Sequence, residues 1–72
     1  MAVVSYFLRE IDLEGVDIIG LWQTLRAIGY KIFIGKGIRV VAEVGRFESK
    51  EHVQRELIVD IESLLRRFRI KK

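Results

Sequence analysis

Apolar positions recur along this chain with two different periods, and each change of period marks a new element. Ala2 to Ile11, AVVSYFLREI, is rich in β-branched and aromatic residues and predicts a strand. From Ile18 onward the spacing changes to threes and fours. Ile18, Leu21, Trp22, Leu25 and Ile28 share one side of a helix, with Gln23, Arg26 and Ala27 on the other. The connection DLEGVD turns the chain between the two elements. Asp17 is its expected N-cap and Asp12 the rival, because a carboxylate at that position accepts free backbone N–H groups of the first helical turn. Gly29 should end the helix, since glycine takes the left-handed C-cap conformation without a Cβ penalty.

Alternation returns in YKIFIGKGIRVVAEV, Tyr30 to Val44. If Gly35, Lys36 and Gly37 form a three-residue loop, Ile34 pairs with Ile38, Ile32 with Val40 and Tyr30 with Ala42 on one face. A two-residue loop would set Ile34 beside Arg39 instead. The apolar register is therefore expected, with Gly37 left-handed at the end of the loop. After Phe47, Ser49 is an expected N-cap for a long helix from Lys50 to Phe68. Its stripe is Val53, Leu57, Ile61, Leu64, Leu65 and Phe68, and Glu51 with Arg55 and Glu62 with Arg66 are spaced as acid-before-base pairs.

The predicted order is β-α-β-β-α, an α+β architecture with a three-stranded, mainly antiparallel sheet carrying two helices on one face, a clipped ferredoxin-like fold. RFRIKK is a candidate short fourth strand, although no tight-turn residue separates it from the last helix. Residues 1–72 read as a single domain with a basic C-terminal end, 66–72, and without repeats or linkers.

Composition adds a stability problem. The chain has 72 residues, 50% hydrophobic and 32% charged. At this size folding hides only about 60% of the chain's surface, so self-association is a natural remedy. There is no cysteine to supply a disulfide, a thiolate metal site or a nucleophile. No apolar run reaches the ~18 residues of a membrane span, and acids occur early in the chain, which together predict a cytoplasmic protein with no membrane partner. Asparagine is absent and Ile, Val, Arg, Lys and Glu are abundant, a heat-adapted composition, although the lack of proline runs against that trend.

The formal net charge of +3 is a property of the tail. Arg66, Arg67, Arg69, Lys71 and Lys72 lie beyond Leu65, and the rest of the chain has 8 basic residues against 10 acidic ones. Only this end attracts phosphate strongly. It also suits the negative pole of a helix dipole, with no ligand required.

Candidate chemistry is sparse. A phosphate-binding P-loop needs four residues between its glycines, then Gly-Lys-Ser or Gly-Lys-Thr opening a helix. Here Gly29 and Gly35 have five between them, Gly37 follows the lysine, and a strand comes next, which makes Gly35-Lys36-Gly37 a hairpin turn. Glu10, Asp12 and Glu14 followed by Gly15 match the first half of a calcium loop, but its closing glutamate position holds Leu21. His52 is the only histidine, and no feature sets a base beside Ser5, Ser49 or Ser63. The expectation is no enzyme, no metal and no cofactor. An enzyme reading would have to start from His52 with an acid between Glu10 and Asp17.

The outer sheet face is more informative. The parity that turns Ile32, Ile34, Ile38 and Val40 inward turns Lys31, Phe33, Arg39, Val41 and Glu43 outward, with Ser5, Phe7 and Arg9 from the first strand. Exposed phenylalanines among basic residues serve either as a subunit contact or as stacking platforms for unpaired bases. Lys36 to Glu43, KGIRVVAE, resembles the eight-residue signature of RNA-recognition-motif domains at Lys36, Gly37 and Val41. The signature's aromatic positions hold Ile38, Val40 and Glu43 here, so the resemblance stops short of membership. The leading expectation is a homo-oligomer, most simply a dimer, with Phe7, Phe33 and Val41 in its interface. The alternative is weak, nonspecific nucleic-acid binding by Lys31, Arg39, Arg66, Arg67, Arg69, Lys71 and Lys72, with Phe7 and Phe33 as stacking residues.

Overall fold

The computed structural model describes residues 2–70. Its elements are β1 (Ala2–Leu8), a short 3-10 helix (Glu10–Leu13), α1 (Ile18–Ile28), β2 (Lys31–Ile34), β3 (Ile38–Val44) and α2 (Lys50–Phe68). The sheet order is β1-β3-β2 with both pairings antiparallel. Strands β1 and β2 thus run parallel to each other on either side of β3, the split β-α-β arrangement of ferredoxin-like folds, and among the described residues no strand lies beyond β1. This is the expected α+β architecture.

The helix ends follow their local chemistry. Asp17 Oδ1 accepts the Gly20 N–H at 3.2 Å, and Ser49 Oγ accepts the His52 N–H at 3.3 Å. Gly29 is left-handed, φ 117°; its N–H reaches Arg26 O and that of Tyr30 reaches Leu25 O, a Schellman closure. The closure commits Tyr30 to the helix end, so the β2–β3 ladder begins at Lys31 with Val41 rather than at Tyr30 with Ala42. Asp12 is no N-cap. It accepts the Arg9 backbone N–H at 3.0 Å and the Arg9 Nε–H at 3.1 Å, which takes Arg9 off the sheet face and into the turn.

The three-residue loop is as expected, with Ile34 opposite Ile38 and Ile32 opposite Val40. The reason for Gly37 is different from the one expected. Among the described residues only Gly15 and Gly29 have positive φ. Gly37 instead passes against β1, where a Cβ would collide with the Leu8 carbonyl oxygen and lie 2.8 Å from Phe7 Cζ. Close approach to the neighbouring strand, not backbone handedness, demands the glycine.

The core lies between the sheet's inner face and both helices. Val4, Leu8, Ile38, Val40, Ala42 and Val44 meet Leu21 and Leu25 of α1 and Val53, Leu57, Ile61 and Leu64 of α2. Each large side chain fully removed from water stabilises the fold by about 1.5–3 kcal/mol. At Gly20 a Cβ would lie 2.8 Å from Phe68 Cε1, so the bare backbone there seats the last aromatic of α2. The stripe on α1 is narrower than its periodicity implies. Ile18 and Ile28 are exposed at the helix ends and Trp22 is half-buried, because α1 packs beside β2, which is only four residues long. Ile34, expected inward, is exposed for the same reason.

The C-terminal segment adds no sheet strand among the described residues. Arg69 makes an isolated bridge to Val16, and the Ile70 N–H donates to Gly15 O at 2.6 Å. Lys71 and Lys72, the rest of the suggested fourth strand and of the basic end, lie outside the described residues. Among the described residues no helix is long and apolar enough to cross a membrane.

Candidate interaction surface

Register and pleat arrange the outer face of the sheet as three cross-strand rows. Val3 stands opposite Glu43; Ser5, Val41 and Lys31 form the second row; Phe7, Arg39 and Phe33 form the third. Because β3 is central, Arg39 lies between the two phenylalanines, with its guanidinium carbon 5.6 Å from the Phe7 ring centroid, a cation–π contact. Lys31 Nζ reaches diagonally to Glu43 Oε1 at 3.2 Å. Lys31 and Glu43 neutralise each other, Arg39 rests on the Phe7 ring, and the apolar residues beside them are left open to water. Phe7 is 50% exposed, Phe33 58% and Val3 53%, while Val41 is half-buried between its neighbours.

The structure brings Phe7, Phe33, Val41, Lys31 and Arg39 together on this face. It does not join them to the basic end. Arg66 and Arg67 occupy the last turn of α2, which packs on the sheet's inner face, and Arg67 lies over Phe68 at 5.6 Å. Arg69 belongs to the bridge with Val16. Hydrogen bonding from Arg9 holds the Asp12 carboxyl below its ordinary range, and Arg69 adds a weaker attraction, so this tail cation already has an acidic neighbour.

Two features went unread in the sequence. Tyr30 donates its hydroxyl to Asp60 Oδ2 at 2.6 Å, tying the α1–β2 junction to the middle of α2. Burial first, and then this hydrogen bond, push the Tyr30 phenol well above its ordinary value. The second feature is a groove beside the free edge of β2, lined by Trp22, Arg26, Lys31 and Phe33, with Arg26 5.2 Å over Trp22. Treating Trp22 as a core residue concealed it. The expected Glu51–Arg55 and Glu62–Arg66 ion pairs are not among those formed by the described residues, where Glu56 pairs instead with His52, Oε1 to Nε2 at 3.1 Å. Exposed pairs of this kind contribute little and are readily replaced by water.

The sites weighed for chemistry stay apart. His52 opens α2 just beyond the Val44 end of β3, whereas Glu10 to Asp17 follow Leu8 at the other end of β1. The length of the sheet, about 20 Å at ~3.3 Å per residue, separates them. Beside the Gly35-Lys36-Gly37 loop lies a pocket of about 250 Å³ with Leu13, Ile18 and Ile38 in its wall and Glu10 and Glu14 at its rim. Glu10 and Glu14 outnumber Lys36 in this lining and oppose phosphate. No group of three or more potential metal-ligating residues occurs among the described residues. No protein-family model, curated protein or solved structure shows a significant match to this chain.

Proposed function

We propose that this chain is a small non-enzymatic interaction module that works as a homo-oligomer, in its simplest form a dimer, through the outer face of its sheet. The observation that carries the reading is the open row of Phe7, Arg39 and Phe33 with Val3 and Val41 beside it, on a face that neither helix covers. A 72-residue domain has little core to spare, and burying this face offsets the deficit. The same reading places the protein in the cytoplasm and assigns it no cofactor. Phe33→Asp tests it, since a charge at the centre of an apolar contact should convert the oligomer to monomer in light scattering. A variant with its parent's mass and melting temperature would remove Phe33 from any interface.

The Phe7–Arg39–Phe33 row also favours a second reading, weak single-strand nucleic-acid binding, because aromatic faces beside a cation suit unpaired bases. Here Lys31 and Arg39 would contact the strand on the face itself, while Arg66, Arg67 and Arg69 would attract it only from a distance. Arg39→Glu should then abolish oligonucleotide binding at low salt. Equal binding by parent and variant would exclude the face as the nucleic-acid site.

A further inference from the structure

The two edges of the sheet are built differently. At one edge β2 is four residues long, carries Lys31, and has Trp22 and Arg26 of α1 beside it. Short length and a lysine are among the usual protections of an edge strand. At the other edge β1 runs seven residues, AVVSYFL, with no charged residue or proline. It pairs with β3 one for one from Ala2 to Leu8, with no bulge to twist it aside. Among the described residues β3 is its sole strand partner.

The direction of the free hydrogen-bonding groups follows from the hairpin. The Gly35 N–H donates to Gly37 O at 2.9 Å, so odd-numbered residues of β3 turn their backbone groups toward β2 and even-numbered ones toward β1. Even residues of β1 therefore bond to β3. Val3, Ser5 and Phe7 present their N–H and C=O groups at the open edge. An antiparallel second copy related by a two-fold axis at Ser5 matches this pattern, since Val3 then meets Phe7 of the other copy and Ser5 meets Ser5, each in a hydrogen-bonding position. On the inner side Val4 meets Tyr6 and Ala2 meets Leu8. Every cross-strand pair in this register is apolar with apolar or serine with serine, and no like charges meet.

Joining two copies through β1 makes a continuous six-stranded sheet, β2-β3-β1-β1-β3-β2, and doubles its outer face.

We propose that β1 is a self-pairing edge and that a second copy of this chain is its occupant, in antiparallel register about Ser5. The proposal shares with the preceding reading only the identity of the partner, for the contact is the strand edge rather than the sheet face. Amide hydrogen exchange of the full chain at millimolar concentration, read alongside light-scattering mass, tests it. The expected result is protection of the Val3, Ser5 and Phe7 amides together with those of Val4 and Tyr6, while the outward Ile32 amide of β2 exchanges at an unprotected rate. Ser5→Lys places two like charges on the two-fold axis and lies on an exposed position, so the fold should survive. It should speed exchange at Val3 and Phe7 by at least about 100-fold, leave Val4 and Tyr6 protected, and halve the mass. Phe33→Asp should leave the Val3 and Phe7 protection unchanged. Unprotected Val3, Ser5 and Phe7 amides in the parent would overturn the edge pairing. If that parent is nevertheless an oligomer broken by Phe33→Asp, the face reading stands without the edge. Protected edge amides with no mass change in Phe33→Asp would give the reverse.

Discussion

The two faces of this sheet are made from the same strands in the same register, yet they differ in almost every physical respect. On the inner side Val40, Leu8 and Ile38 are sealed under α1 and α2, and among the described residues no polar side chain is fully buried. On the outer side Phe7, Phe33 and Val3 stand half-exposed among Arg39, Lys31 and Glu43. An ordinary half-buried sheet would alternate apolar inside with polar outside. The outer face departs from that rule by carrying aromatics, and a departure of this kind points to a partner rather than to folding. The inner face accounts for stability, and association is the role proposed for the outer face.

Truncation separates the two roles most sharply. Leu57 is fully buried against the sheet, and Leu57→Ala should cost about 2–5 kcal/mol in chemical denaturation. Phe33→Ala, measured dilute enough to keep the chain monomeric, should change stability by no more than about 0.5 kcal/mol. A large loss at Phe33 in the monomer would mean that the outer face also serves the fold. Gly37→Val is next in size. The new side chain meets the Leu8 carbonyl and the Phe7 ring together, and overpacking there should cost about 1–3 kcal/mol while displacing β1 from β3. A melting temperature equal to the parent's would show that the loop moves freely away from β1.

A smaller loss than at Gly37 is expected at the polar strut between Tyr30 and α2. Tyr30→Phe removes the donor to Asp60 and should cost about 1 kcal/mol at neutral pH. The phenol is raised in the folded state, so its contribution is fully present below the unfolded value of about 10 and is lost as pH rises beyond it. The parent should therefore lose stability above about pH 10 more steeply than Tyr30→Phe. Parallel alkaline curves for the two proteins would contradict a partly buried, hydrogen-bonded phenol.

Much of the fold was legible because the signals that specify it are local. Asp17, Gly29 and Ser49 declare their helix ends through side-chain oxygens or the lack of a Cβ, and the match of Ile34 with Ile38 selects the loop length. What stayed hidden depends on contacts distant in sequence. Gly37 is required by Leu8, a residue on another strand; Tyr30 finds Asp60 thirty positions away; Trp22 is half-exposed because β2 beside it is short. The outer face was legible in part. Strand parity placed Phe7, Phe33, Val41, Lys31 and Arg39 on one surface, but only the strand order β1-β3-β2 sets Arg39 between the two rings. That same order leaves β1 at an edge, which periodicity alone does not reveal. The basic end shows the opposite balance. Its charge is conspicuous in the sequence, while the helix that carries Arg66 and Arg67 lies on the other side of the sheet.

The central claim, that the exposed apolar surface exists to be covered by a second copy, is tested most directly by the molar mass of the unmodified chain from micromolar to millimolar concentration. A single chain is 8.4 kDa. The account predicts a mass at least twice that value at the upper end, falling toward the single-chain value on dilution as the association reverses. A mass fixed at 8.4 kDa across the whole range would contradict it.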